Sequence, residues 1–162
     1  MGLKAASVPK RAKVVLVPIL VMSFCATFLP AQTSSQNPPP QQNVFDDRAA
    51  SRMLLRLSEA LQGHSQKQFL ALFDLGKIKD GTLFKQQIDS FFSQTESIRV
   101  HMNLIEVAAE SATVTVDAEM EIEPRNGGPS VRRNDQLNFV AVRAGKDWRF
   151  SDLQPRAFFS LP

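Results

Sequence analysis

The chain of 162 residues has no tyrosine, one tryptophan, two histidines and a single cysteine. One cysteine cannot form an internal disulfide or a multi-cysteine metal site. The sequence also lacks a glycine-rich phosphate loop, a His-x-x-x-His pair and a nucleophile elbow. It therefore indicates no cofactor and no metal. At 43% hydrophobic and 22% charged residues, the composition is that of a globular protein of one domain.

Basic residues without acidic ones open the chain, at Lys4, Lys10, Arg11 and Lys13, and an apolar run over 14–29 follows. A small residue, Ala31, then precedes a polar stretch. This order is typical of an export signal cleaved after Ala31. The alternative is an uncleaved anchor through residues 14–31, although the run is shorter than the roughly 20 residues of a transmembrane helix. We therefore expect residues 1–31 to be a signal peptide or membrane anchor, and the protein to be periplasmic or secreted, or anchored to the membrane.

The net charge of +3 belongs to this first segment. Four of the 19 basic residues and none of the 16 acidic residues precede Gln32, so the remaining 15 basic and 16 acidic residues give −1. Arg125, Arg132 and Arg133 flank a turn without interleaved aromatic residues. Both observations argue against a nucleic-acid partner.

Residues 32–43 are uncharged, contain Pro38–Pro40 and predict a semi-stiff linker. A domain over 44–162 follows. Apolar residues recur every four positions from Phe45 to Leu61 and predict a helix of about 17 residues, started by Asp46 and ended near Gly63. A capping-box spacing at Ser65 predicts a second, short helix. Phe84, Ile88, Phe91 and Phe92 predict one face of a third helix, capped by Asp80 or Thr82.

After Thr95 the hydrophobic period changes from 3.6 to 2, which predicts strands. We place them at Ile98–Leu104, Val114–Ile122, Leu137–Arg143 and Trp148–Leu153. Turn residues at 126–128 and 144–146 predict antiparallel hairpins. The third run is apolar on both faces, which favours a central position. The fold class is thus α+β, with N-terminal helices covering one face of a four-or-more-stranded antiparallel sheet.

Three segments of the domain carry a resemblance to a known family. They are Gln68–Phe73 after the opening helix, the pair Phe91-Phe92 before the first long strand, and the closing stretch Gly145–Leu153 with Trp148. In this order the chain resembles the NTF2-like superfamily, also called SnoaL-like or cystatin-like. The resemblance implies a curved sheet wrapped around a helix as a cone, with a pocket at its mouth. It also implies that an enzyme would place Tyr, Asp, Glu or His in that pocket, and isomerase-like members rely on a Tyr that this chain lacks.

Few residues are candidates for chemistry. The weak catalytic candidates are His101 and Asp117, but both alternate with apolar residues and should point away from the helices. We expect His64 to be an exposed loop histidine, and the acidic ladder from Asp117 to Glu123 to be a solvated face opposite arginines. The candidate ligand-binding residues are Phe69, Phe73, Phe84, Phe91, Phe92 and Trp148, although such a stripe is more often core. Phe158, Phe159 and Leu161 should either dock on the core or form a contact patch.

The leading hypothesis is an exported, non-catalytic NTF2-like domain that binds a small apolar ligand or a protein partner. One alternative is an isomerase, dehydratase or hydrolase-type enzyme using His101 or Asp117. Another is a membrane-anchored assembly subunit of a cell-envelope complex. Both a monomer and a homodimer are compatible with the sequence, because a dimer through the polar sheet face would have a wet interface.

Overall fold

The computed structural model describes residues 44–160, which form three α-helices, four strands and a closing 3₁₀ helix. The helices are α1 (Asp47–Gln62), α2 (Gln66–Ala71) and α3 (Gly81–Gln94), and the 3₁₀ helix spans Arg156–Phe159. The strands are β1 (Thr95–Ala108), β2 (Thr113–Pro124), β3 (Val131–Ala144) and β4 (Asp147–Gln154). They form one antiparallel sheet in the order β1-β2-β3-β4. The predicted α+β class is confirmed.

The predicted signal or anchor, the linker and Leu161 lie outside the described residues. Within residues 44–160, no helix is both long enough and apolar enough to cross a membrane.

The opening helix forms as its sequence predicts. Asp46 is its N-cap, and the carboxylate accepts a hydrogen bond of 2.7 Å from the amide of Ala49. Gly63 is the C-cap; its amide donates to the carbonyl of Glu59, and the amide of His64 donates to that of Leu61. Helix α1 buries one stripe of side chains, which ends at Leu61. Burial of this stripe against the sheet, rather than helix propensity alone, stabilises the helix.

The other two helix starts differ from the prediction. Ser65 stands at the N-cap of α2, but its side chain makes no capping hydrogen bond, so the predicted capping box is wrong. Asp80 stands at the N-cap of α3 in the left-handed conformation (φ 56°) and also makes no capping bond through its side chain. Helix α2 begins after the turn that follows α1, and α3 begins after residues 72–80, with Phe69, Phe73 and Phe84 buried in the core.

The inner face of the sheet packs on the helices. Its alternate residues are buried along β1 and β2, as the period of 2 predicts, and Leu137, Phe139 and Ala141 continue the buried face on β3. On the opposite face of β3, Val140 and Val142 are only half-buried. The prediction of a central position from the two apolar faces of β3 is therefore confirmed, although β2 is also an interior strand of the sheet.

The two edges of the sheet differ. Along β4, the amide of Phe150 donates to the carbonyl of Leu72, and its carbonyl accepts from the amide of Asp74, so the segment after α2 covers this edge. Along β1, the Gln62 side chain donates to the carbonyl of Val100. Among the described residues, no backbone-to-backbone hydrogen bond reaches the outer edge of β1 between Ile98 and Leu104.

Candidate functional site

The five candidate phenylalanines lie together in the layer between the helices and the sheet. Their rings form a continuous chain of contacts, with centroid distances of 5.1 Å for Phe84–Phe73 and Phe73–Phe69 and 5.7 Å for Phe69–Phe92 and Phe92–Phe91. Each of the five is at most 3% exposed. Helices α2 and α3 and the segment after α2, which contains Phe73, therefore bring the side chains together as a packed cluster.

Aromatic residues outside the candidate set close this cluster on two sides. Phe159 of the 3₁₀ helix contacts Phe69 and Phe91, at 5.4 and 5.8 Å. Phe150 of β4 contacts Phe73 at 5.5 Å and Phe139 at 4.6 Å. The terminal pair Phe158 and Phe159 thus docks on the core. The docking of this pair depends on tertiary contacts that the sequence pattern left open. Phe150, in contrast, could have been identified as a core residue from its alternation with Trp148 along the predicted strand.

Polar groups are scarce in this interior. Thr95 and Ser151 are the buried polar residues of the described part of the chain, and both bind backbone carbonyls. The Thr95 hydroxyl lies 3.3 Å from the carbonyl of Phe92 and the Ser151 hydroxyl 3.3 Å from that of Val140. The Ser151 hydroxyl is thus engaged by backbone, whereas the Thr95 hydroxyl also lies 3.0 Å from Nε2 of His64.

Trp148 lies apart from the phenylalanine cluster. The half-buried indole makes an edge contact with Phe45 at 4.9 Å, and the guanidinium of Arg143 lies 5.5 Å from its ring centroid. Among the ring contacts of the described residues, none joins Trp148 to the five candidate phenylalanines. Its position indicates a role in packing the start of α1 against β4.

His101 and Asp117 lie on the outer face of the sheet, and both are exposed. The register pairs His101 with Glu119 and Asn103 with Asp117, so the two candidates are diagonal neighbours on adjacent strands. Together they line a shallow groove of about 450 Å³ that also includes residues of β3. No hydrogen bond joins their side chains within the described structure, so a triad-like orientation of His101 is not present.

The charges of the outer face divide it into two halves. Near the β2–β3 turn, Arg99 pairs with Glu121 and Glu123 at 3.2 and 3.1 Å, and Arg132 lies 3.7 Å from Glu119. Toward the groove, the further charged residue of the outer face is Asp117, which has no ion pair within the described chain, whereas Asp135 pairs in register with the inward-facing Ala118. The predicted pairing of the acidic ladder with arginines is therefore confirmed for Glu119, Glu121 and Glu123. The groove carries excess negative charge.

His64 differs from its expected state. The residue is half-buried rather than exposed, and it adopts a left-handed backbone (φ 50°) directly after α1. Its Nε2 lies 3.0 Å from the Thr95 hydroxyl, and its ring packs edge-on against Phe92 at 5.3 Å. The expectation of an exposed loop histidine is wrong, because the turn after α1 folds back onto the start of β1.

A further groove of about 530 Å³, which the sequence patterns did not indicate, lies beside the β2–β3 turn. Pro124, Pro129 and Val131 supply its apolar wall. Arg125 at its rim is tied to Glu96 at 3.4 Å and to the carbonyl of Thr95. Across residues 44–160, no group of three or more His, Cys, Asp and Glu side chains could hold a metal ion.

Comparison with known proteins supports the fold. No protein-family model and no curated protein matches the sequence. A conserved protein from Planctomyces limnophilus is 15% identical over 67% of this chain and 92% of its own, with a TM-score of 0.59. A proposed scytalone dehydratase from Novosphingobium aromaticivorans is 16% identical over 65% and 79%, with a TM-score of 0.56. A type 2 hexachlorocyclohexane dehydrochlorinase is 12% identical over 65% and 80%, with a TM-score of 0.50. At these identities the likeness shows the NTF2-like α+β fold alone.

Proposed function

We propose that this chain is an exported, non-catalytic NTF2-like domain that binds a protein partner through the outer face of its sheet. The observation that carries the proposal is that phenylalanine side chains fill the interior of the domain. The resemblance implies that family enzymes keep their acidic, histidine or tyrosine groups in a pocket at the mouth of the cone. Here the layer between helices and sheet is filled by phenylalanine rings from Phe84 to Phe91 and is closed by Phe159.

The filled interior also favours a protein partner over a small apolar ligand. Neither the groove of about 450 Å³ nor the groove of about 530 Å³ is lined by any of the candidate phenylalanines. The outer face, in contrast, is open and presents amide and carboxylate groups of Asn103, Asp117, Asn134 and Gln136 in one groove. A shallow polar surface of excess negative charge suits a partner that presents lysine, arginine or amide groups.

Site-specific photo-crosslinking in the producing cells tests this proposal. A photoreactive amino acid at Gln136, on the exposed outer face, should capture one protein, whereas the same group at the exposed Lys85 of α3 should capture none. Native mass spectrometry of the purified chain provides the second arm. A small apolar molecule that is released only on denaturation would overturn the proposal in favour of an internal ligand.

The second candidate function is an enzyme that uses the outer groove. The observation that favours it is that His101 and Asp117, identified separately from the sequence, line the same groove. Two fold neighbours are named as a dehydratase and a dehydrochlorinase. A general base there would require His101 to contact its substrate directly. Turnover of a substrate that is lost in His101→Gln and retained in Asn134→Gln would establish this function.

A further inference from the structure

The outer edge of β1 makes no backbone-to-backbone hydrogen bond between Ile98 and Leu104 within the described residues, and the side chain of Gln62 binds it at Val100. Val100 accepts its hydrogen bond from Gln62 on the side away from β2, so the backbone N–H and C=O of Val100 point outward. Because these directions alternate along an antiparallel strand, the backbone groups of Met102 and Leu104 point outward as well. Proteins usually cover or charge such edges because they are templates for pairing with another chain.

Beside this edge, α1 leaves an apolar groove of about 330 Å³. Leu54 and Leu55 of α1 and Met102 and Leu104 of β1 contribute apolar walls to it. Leu55 is 59% exposed at the wall of this groove. The covered edge of β4 shows, by contrast, that the other end of the sheet is closed by backbone hydrogen bonds from residues 72–74.

The sequence of β1 is complementary to itself when it is read antiparallel. Ile105 is the extra residue of a bulge, since Leu104 pairs with Val116 and Glu106 pairs with Thr115. With Ile105 set aside, a two-fold axis at Met102 places Val100 opposite the partner's Leu104. The same axis places Arg99, on the outer face, opposite the partner's Glu106. Apolar residues then face apolar residues, and the charged residues face opposite charges.

We propose that two copies of this chain pair through their β1 edges, antiparallel about Met102, to form one continuous eight-stranded sheet. The axis runs perpendicular to the sheet, so both α1 helices lie on the same side and their exposed Leu55 side chains approach each other. Glu106 is exposed and has no ion pair within the described chain. The interface is isologous, which is the form that closed dimers take. This inference is independent of the outer-face partner.

Reversing the charges of Arg99 and Glu106 tests this geometry of the dimer specifically. The full chain, as it purifies from the producing cell, should sediment as a dimer. Arg99→Glu and Glu106→Arg should each weaken the dimer by about tenfold or more, because each places like charges opposite each other twice. An equimolar mixture of the two variants should recover the dimer mass as a heterodimer, in which both pairs are again opposite in sign.

The matched control is Arg132→Glu. Arg132 and Arg99 are each 66% exposed in their side chains, and both pair with two glutamates of the acidic ladder, but Arg132 lies on β3 away from the edge. This variant should leave the dimer intact. Amide hydrogen exchange provides a second readout, since the Met102 and Leu104 amides should become protected as concentration rises. A monomer at every concentration, or a dimer that both single variants leave unchanged, would overturn the proposal.

Discussion

Phe69 shows at the scale of one residue how the interior is filled. Its ring is fully buried and contacts Phe73, Phe92 and Phe159 at centroid distances between 5.1 and 5.7 Å. Aromatic pairs at such distances contribute about 0.5–1.5 kcal/mol beyond the burial of their area. A residue with three of them is therefore held in place by packing, and a ligand would have to displace it to enter.

Phe69→Ala should lower the free energy of unfolding by about 3–5 kcal/mol, because it removes buried apolar surface and leaves a cavity among rigid rings. Urea denaturation monitored by circular dichroism measures the change. Leu83→Ala is the control, since Leu83 is 63% exposed and should cost less than about 0.5 kcal/mol. A loss below about 1 kcal/mol at Phe69 would show that the interior is loosely packed and open to a ligand.

Thr95 tests the value of the buried hydrogen bond to His64. Thr95→Val keeps the shape of the side chain but leaves the half-buried His64 nitrogen without its partner. We expect a loss of about 1–2 kcal/mol in thermal or chemical unfolding. Thr95→Ser retains the hydroxyl and should lose less than Thr95→Val. A loss in Thr95→Ser as large as that in Thr95→Val would contradict this prediction, because Thr95→Ser keeps the hydroxyl and lacks only the methyl group.

At the scale of the element, the helix starts separate what local sequence determines from what it does not. The sequence predicts Asp46 as a cap, and the structure confirms it, because the carboxylate needs only the amide of Ala49 three residues later. Ser65 has equally suitable spacing, but no capping bond forms. The turn from Gly63 to Ser65 is instead shaped by the contacts of His64 with Thr95 and Phe92, which lie about 30 residues away in sequence.

These two positions make a paired prediction. Asp46→Ala should destabilise the domain by about 1 kcal/mol, with a range of about 0.5–2, because the Ala49 amide loses its acceptor. Ser65→Ala should change stability by less than about 0.5 kcal/mol, because its hydroxyl caps nothing. Unfolding midpoints of the two variants in the same denaturant series compare them directly. A larger effect at Ser65 than at Asp46 would contradict the assigned caps.

Local sequence predicts which side chains each strand buries, but it does not predict how the edges of the sheet are covered. Alternation with a period of 2 places each side chain on one face, so the burial of Val114, Val116 and Met120 and the exposure of His101 and Asp117 follow from sequence alone. Coverage of β4 by residues 72–74 depends on a backbone contact between Phe73 and Phe150, which no pattern encodes. The outer groove likewise required the register that sets β1, β2 and β3 side by side.

At the scale of the whole molecule, the C-terminal 3₁₀ helix acts as the last wall of the interior. Its backbone carbonyls at Ala157 and Phe158 accept hydrogen bonds from Arg133, at 2.9 and 3.1 Å. Gln87 of α3 donates to the carbonyls of Arg156 and Phe159, at 2.7 and 3.3 Å. The segment therefore joins the third helix to the third strand over the buried ring of Phe159.

A chain that ends at Pro155 should consequently lose more stability than the removal of a few terminal residues suggests. Phe69 and Phe91 would each lose a ring contact and become accessible, so we expect a loss of stability of at least about 3–5 kcal/mol, comparable to the removal of a core phenylalanine. The newly exposed apolar surface should also bind a fluorescent apolar dye such as ANS, which the full chain should not bind.

Phe159→Leu in the full chain is the matched control, because it keeps the wall and most of the apolar volume, and it should lose less stability and bind no dye. If the shortened chain were as stable and as dye-free as the full one, the interior would be closed by the helices and sheet alone, and the 3₁₀ helix would be a surface feature.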